Sequence, residues 1–246
     1  GSSDIYGQAI SFDGSLQGPL SGIPITTQSN DQKSPSISYN SVTGNIVVCW
    51  EDFRNGIDFD IYCSEISEQD LSVSEFNLCV AYGNQKTPDV FSTLDGSCLF
   101  AWEDSRNGQT SDLFYQTMSS SGTMGYVENG IVLCGADFNQ LNPKIEIYDE
   151  LTNSYMIYWD DMRSSGKEDL SNIYLQSVTV ESSECISSGD INSDNFVNVL
   201  DIVALVGYIT GNNDFSTEQI CQADLNNDGL INVIDIVTLV SLIITY

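Results

Sequence analysis

The chain contains no histidine, and only 7 Lys and Arg face 35 Asp and Glu, a formal net charge of −28 over 246 residues. The missing imidazole removes the commonest general base and metal ligand at neutral pH. Ser-His and Cys-His nucleophilic pairs are therefore excluded within the chain. The scarcity of cations makes nucleic acid and anionic membrane surfaces poor partners, because like charge repels them. Long apolar runs are absent too: the two greasiest stretches, 197–209 and 231–244, each carry an Asp and fall short of a bilayer span. None of the seven cysteines forms a CxxC pair. Most lie in apolar, strand-like surroundings, which reads as buried thiols or a few disulfides with no metal role. Cys185 and Cys221, each a few residues ahead of an Asp-rich loop, are candidates for a bridge.

Hydrophobic residues make up 41% of the chain, enough for a packed core. The first 180 residues are internally repetitive. Trp50-Glu51-Asp52-Phe53-Arg54-Asn55-Gly56 returns as Trp102-Glu103-Asp104-Ser105-Arg106-Asn107-Gly108, and more loosely as Trp159-Asp160-Asp161-Met162-Arg163-Ser164-Ser165-Gly166. The spacings are 52 and 57 residues. A proline precedes each motif (Pro35, Pro88, Pro143), and a strand-like Asp60-Ile61-Tyr62, Asp112-Leu113-Phe114 or Asn172-Ile173-Tyr174 follows it. A fourth copy, Asp4-Ile5-Tyr6, opens the chain. About four short strands per 50-odd residues are the mark of a propeller blade. The Trp-Glu-Asp-x-Arg-Asn-Gly…Asp-Ile-Tyr run resembles repeats of secreted bacterial β-propellers. The expected organisation is all-β blades over 1–180, with repeats at about 4–59, 60–111 and 112–171 and an extra strand at 172–180. A polar linker follows at 181–188.

Repetition bears on chemistry. Arg54, Arg106 and Arg163 occupy one repeat position, and a catalytic group is needed once, whereas a fold-supporting group is needed in every unit. Asp52, Asp104 and Asp161 thus read first as turn caps paired with the motif arginines, and second as carboxylates lining a ligand site. Three blades are too few to close a ring. The expected outcomes are a ring shared by two chains, a head-to-tail polymer using the surplus strand, or a longer protein that supplies further blades.

Beyond residue 180 no Lys or Arg occurs. Residues 189–209 align with 223–243 at an offset of 34, with eleven of 21 positions identical. Each copy begins with a twelve-residue loop. The first offers oxygen ligands from Asp190, Asn192, Asp194, the Phe196 carbonyl, Asn198 and Asp201. The second offers Asp224, Asn226, Asp228, the Leu230 carbonyl, Asn232 and Asp235. A tight turn aims alternate side chains at one point, and the helix behind it swings position 12 back to close the shell. All-oxygen, carboxylate-rich sites of this size suit calcium better than magnesium, and two ions are expected.

A loop followed by a helix, twice, resembles a dockerin. The signatures are Gly-Asp-Ile-Asn-Ser-Asp-Asn-Phe-Val-Asn-Val-Leu-Asp and Ala-Asp-Leu-Asn-Asn-Asp-Gly-Leu-Ile-Asn-Val-Ile-Asp. The resemblance implies a small all-α calcium-binding module over 189–246 that binds cohesin modules through its helices. Where well-known members carry Ser or Thr before the last ligand, this chain has Val199-Leu200 and Val233-Ile234. Ile202, Leu205, Val206 and Ile209 make one apolar helical face, and Ile236, Leu239, Val240 and Ile243 another. Val199, Val203, Val233, Val237 and Leu242 fall elsewhere, so a further surface should cover them. The first expectation is an extracellular, non-enzymatic structural or assembly protein, with no catalytic residues and with cohesin or other copies of itself as partner. The second is the C-terminal part of a secreted carbohydrate-active enzyme or glycan-binding protein, tethered by its dockerin and contacting polysaccharide. Export follows from calcium, which a reducing cytosol holds too scarcely to fill such loops.

Overall fold

Aromatic and β-branched runs between Gly, Asn and Asp turns become strands, as the pattern predicts. The computed structural model describes residues 2–149, 154–164, 171–180, 189–192, 194, 196–211, 215, 217–226 and 230–245. It divides the chain into two units, Gly1–Ser182 and Ser183–Tyr246.

The first unit is β throughout. It opens with β1 (Ile5–Gly7), a small β2–β3 hairpin (Ala9–Ile10, Leu16–Gln17) and β4 (Ile23–Thr26), which pairs with β1. A four-stranded antiparallel sheet follows, β5 (Gln32–Tyr39), β6 (Asn45–Asp52), β7 (Asp60–Ser67) and β8 (Val73–Cys79). A second repeats it with β9 (Gln85–Ser92), β10 (Cys98–Asp104), β11 (Asp112–Met118) and β12 (Ile131–Cys134). The last sheet has three described strands, β13 (Gln140–Asp149), β14 (Ser154–Asp161) and β15 (Asn172–Thr179).

The propeller-like class agrees with the repeats, but the sheets are framed differently from units 4–59, 60–111 and 112–171. The Asp-Ile-Tyr strand is the third strand of the sheet whose Trp strand precedes it, because the Arg-Asn-Gly turn folds it back antiparallel: Trp50 faces Tyr62, Trp102 faces Phe114 and Trp159 faces Tyr174. Segment 172–180 is accordingly the third strand of its own sheet rather than a surplus one. Asp4-Ile5-Tyr6 is paired with β4 in the register that joins β7 to β8, including the bulge after Ile5 and Ile61.

The Trp strands lie second in each sheet; β6 and β10 are buried on both faces, β14 on the face of Tyr155, Ile157 and Trp159. Val47 and Cys49 enter one core cluster while Val48 and Trp50 enter another, as period-two alternation requires. Each core lies between consecutive sheets: Phe100 and Trp102 meet Val47 and Ile61, and Leu99 and Ala101 meet Tyr155 and Ile157. Cys49 and Cys63 are direct register partners and form a disulfide. Cys79 and Cys98 are buried free thiols, and Cys134 is a partly buried one. The expected Cys185–Cys221 bridge lies outside the described residues.

The repeat prolines Pro35, Pro88 and Pro143 sit inside strands β5, β9 and β13, at bulges where a missing N–H costs no ladder bond. The residue before each proline is left-handed: Ser34, Thr87 and Asn142 have φ of 52°, 49° and 56°. Two of these turned-out amides staple neighbouring sheets. Thr87 N–H donates to Glu51 Oε1 at 3.0 Å, and Asn142 N–H to Glu103 Oε1 at 2.8 Å.

The second unit holds α1 (Val199–Ile209), a short α2 (Thr217–Ala223) absent from the loop-helix reading, and α3 (Val233–Thr245). Ile191, Leu205, Ala223 and Leu239 are its buried centre, with Ile202, Ile209, Ile236 and Ile243 packed around them. Of the expected inward faces of α1 and α3, six residues supply this core; Val206 is exposed, and Val240 is half-buried and lies outside the cluster.

Candidate metal centre and docking face

The repeated Asp and Arg residues of the first unit spend themselves on each other. In the second sheet Asp104 accepts Trp102 Nε1 (3.0 Å), Arg106 N (2.9 Å), Arg106 Nε (2.9 Å) and Arg106 Nη2 (2.6 Å). Asp161 repeats this set with Trp159 and Arg163. Asp52 accepts Trp50 Nε1, Arg54 N and Arg54 Nη2. Each guanidinium also lies over the facing aromatic ring, at 3.7 Å for Tyr62, 3.9 Å for Phe114 and 4.2 Å for Tyr174. Burial would push the Asp52 carboxyl up, but the Arg54 and Trp50 bonds outweigh it and hold the group below the usual carboxylate range; Asp161 behaves alike. All three Asp are fully buried, so this constellation braces the turn and offers no open carboxylate.

The second unit carries the Asp/Asn loops. In the first loop, Asp194 N–H donates to Asp190 Oδ1 and to Asn192 Oδ1, both at 3.0 Å, so side-chain oxygens from loop positions 1 and 3 converge on one atom. Asn192 Nδ2 in turn donates to Asp194 Oδ2 at 2.9 Å. Position 12 is more than a prospective ligand. Asp201 is fully buried and accepts Ile191 N (2.8 Å), Asn192 N (3.1 Å) and Asn198 N (2.8 Å). Asn198 caps α1 by accepting Leu200 N at 2.9 Å, which with Asp201 makes a capping box.

The second loop repeats this bonding at the offset of 34. Asp235, also fully buried, accepts Leu225 N (3.0 Å) and Asn232 N (2.8 Å), and Asn232 accepts Ile234 N (2.8 Å). Asn198 and Asn232 also reach back to the Phe196 and Leu230 carbonyls, at 3.2 and 3.1 Å. Asp228 lies outside the described residues. Among the described residues no three acidic or cysteine side chains form one cluster. Asp190, Asn192 and Asp194 are brought together at the loop mouth, while Asp201 and Asp235 tie the loop backbone to the helix start. The donor set is wholly oxygen and fits a hard divalent cation.

The helix faces turned from the core are apolar and open. Val199, Leu200 and Val203 on α1 are 62, 56 and 63% exposed; Val233, Ile234 and Val237 on α3 are 62, 54 and 60% exposed. Phe196 and Leu230 extend the two stripes. Sequence periodicity singled out the valines, but not the pairing of matching stripes by the duplication.

Residues 188–243 match the family Dockerin type I domain. No curated protein matches the chain. Among solved structures, it is similar to a GH93 α-L-arabinofuranosidase of Fusarium graminearum (11% identity, TM-score 0.43, 60% of this chain and 45% of that one). An α-L-arabinofuranosidase from Clostridium thermocellum gives 12% identity and a TM-score of 0.41, over 74% of this chain and 65% of that one. The Hadza microbial sialidase gives 11% and 0.43, over 60% and 31%. The chain thus spans about a third to two thirds of their lengths.

The dockerin resemblance is thereby shown, with a mostly β propeller-like region ahead of it. Dockerin type I domains bind calcium and anchor to cohesins outside the cell. The expectation of a non-enzymatic chain is corrected: the solved structures it is similar to are two α-L-arabinofuranosidases and a sialidase. The expectation of a self-assembling structural protein finds no support in either comparison.

Proposed function

We propose that this chain is the dockerin-bearing part of a secreted carbohydrate-active enzyme or glycan-binding protein, held on a cohesin scaffold by a module folded around two calcium ions. The observation that carries this reading is the duplicated loop, in which Asp201 and Asp235 fasten equivalent backbone amides while Asp190, Asn192 and Asp194 gather oxygens at the mouth. In each loop the proposed ligands are the residues at positions 1, 3, 5, 9 and 12 and the carbonyl at position 7: Asp190, Asn192, Asp194, Asn198, Asp201 and Phe196, then Asp224, Asn226, Asp228, Asn232, Asp235 and Leu230. Calcium supplies positive charge that offsets crowded carboxylates, so the loops and the helix starts they cap become one folded unit. The Val199 and Val233 stripes then present an apolar surface to the cohesin, in place of hydroxyl side chains.

The test is isothermal titration of the full chain with a panel of cohesins, in calcium and in excess EDTA. Nanomolar to micromolar binding that disappears with the metal supports the docking role. Calcium-independent binding, or none to any cohesin, overturns it. Release of sugar from a polysaccharide panel, or retention on it, tests the carbohydrate role separately.

A further inference from the structure

The repeats leave one cation unspent. Lys33 is bound to Asp31 and Lys144 to Asp89, each at 2.8 Å, and every motif arginine holds its Asp. Among the described residues Lys86 is the only Lys or Arg without an ion pair. The cause is legible one position ahead of each buried Gln: Asp31 precedes Gln32, but Asn84 precedes Gln85, so the second sheet lacks the counter-ion. The Lys86 ammonium lies 5.1 Å from the centre of the Phe59 ring. Glu103 is the register partner of Lys86 on the adjacent strand.

Lys86 and Glu103 line a cavity of about 280 Å³ in the first unit, and every lining residue is polar. Asn84 Oδ1 is fixed by Phe59 N–H at 3.1 Å and Asn139 Oδ1 by Ser111 N–H at 3.0 Å, which leaves both side-chain nitrogens without a partner among the described residues. Among the described residues the Gln109 side-chain amide and the Ser111 hydroxyl are likewise without a partner, while the Gln109 backbone N–H donates to Asn107 Oδ1. The wall can form because residue 83 is glycine: with φ at +86°, a Cβ there would lie 2.7 Å from the Ser105 carbonyl oxygen. Burial pushes the Glu103 carboxyl above its ordinary value, against the bond it accepts from Asn142 N–H.

Such a lining has nothing to offer an apolar ligand. One ammonium and one carboxylate leave it near neutral, and the field of a chain with a net charge of −28 repels anions. Several amide donors, hydroxyls and one carboxylate acceptor match a molecule with many hydroxyls and no charge. We propose that this cavity is a binding subsite for a single neutral sugar unit, with Lys86 and Glu103 on adjacent hydroxyls and Asn84, Gln109 and Asn139 around the ring. It rests on the carbohydrate part of the proposed function for the class of ligand and adds the place.

The experiment is titration of the full chain with glucose, galactose, xylose and arabinose, with glucuronic acid as the charged comparison, followed by NMR or calorimetry. A dissociation constant of about 1–10 mM is expected for at least one neutral sugar, given how little surface one ring offers. Lys86→Ala and Gln109→Ala should each weaken it about fivefold or more with unchanged circular dichroism; Gln109 is exposed, so its loss leaves the fold intact. Equal binding by wild type and both variants overturns the subsite while leaving the carbohydrate reading standing. So does retention of the chain on a polysaccharide without binding of any single sugar. Tighter binding of glucuronic acid than of the neutral sugars overturns the ligand class. Absence of binding to every sugar and polysaccharide overturns both readings.

Discussion

Asn142 N–H donates to Glu103 Oε1 across two sheets at 2.8 Å, and the amide is free to do so only because Asn142 is left-handed, with φ of 56°, ahead of Pro143. The same bond joins Thr87 to Glu51 one sheet earlier. Replacing Glu51 by Ala leaves the Thr87 amide without a partner at a site where Glu51 is only 8% exposed. A loss of about 1–3 kcal/mol is expected, with Glu51→Gln losing less because its carbonyl still accepts. Urea unfolding of the full chain measures both, and equal stability of the Ala and Gln variants would count against the staple.

Arg106 grips Asp104 through Nε and Nη2 together, at 2.9 and 2.6 Å, while lying over Phe114. Lysine cannot make this fork, so Arg106→Lys is expected to cost about 1–3 kcal/mol. Asp104→Ala is expected to cost about 3–5 kcal/mol, because it strands a partly buried guanidinium and the Trp102 indole N–H. Thermal unfolding of the two variants gives the order.

Asp60 titrates unusually high, at about 6, chiefly because it is buried and secondly because Asp58 and Asp52 repel its charge. Its folded value lies above the ordinary 3.8, so the folded state holds this proton more tightly. The stability this adds is complete below about pH 4 and is lost as pH rises through about 6. Asp60→Asn removes the charge, and its side-chain oxygen can still accept from Asn55 Nδ2, which bonds Asp60 at 2.9 Å. Relative to wild type, the variant should gain melting temperature at pH 7.5 and gain none at pH 4. The reverse order would contradict the burial argument.

The legible parts of this molecule are those where one side chain does one local job. Aromatic and β-branched runs between turn residues mark the Trp strands, and the spacing of Asp190, Asn192 and Asp194 marks the mouth of the first loop. Long-range pairing was hidden. Nothing local to Asp60-Ile61-Tyr62 says that it folds back on the strand before it rather than opening a new sheet, so the repeat units legible in the sequence do not coincide with the sheets. Proline was seen as a repeat marker, but not that it frees the amide of Thr87 or Asn142 for the next sheet. The cavity at Lys86 depends on Asn84, Gln109 and Asn139 arriving from separate loops, which no periodicity records.

Calcium removal should act on the second unit through Asp190 and Asp224, the first residues of the two loops. Equilibrium dialysis is expected to find two ions per chain, and one in either Asp190→Ala or Asp224→Ala. Excess EDTA should reduce the helical circular dichroism that α1 and α3 contribute, because the helix caps at Asn198 and Asn232 are tied to loops that repel themselves without the metal. Two ions retained in either variant would contradict the ligand assignment.

The last expectation concerns the face opposite the core. Leu200 and Ile234 are 56 and 54% exposed, so changing them costs the module little of its own packing. If these stripes meet a cohesin, however, each isoleucine or leucine is buried on binding, worth about 1.5–3 kcal/mol apiece, and a lysine in its place must also be desolvated. The duplication repeats the stripe, so one substitution would leave an intact copy, and both belong in the same variant. The Leu200→Lys, Ile234→Lys double variant should bind calcium as wild type does, keep its helices, and lose cohesin affinity by at least about a hundredfold. Unchanged affinity would place docking elsewhere, since a module that folds and binds metal normally leaves no other explanation for the result.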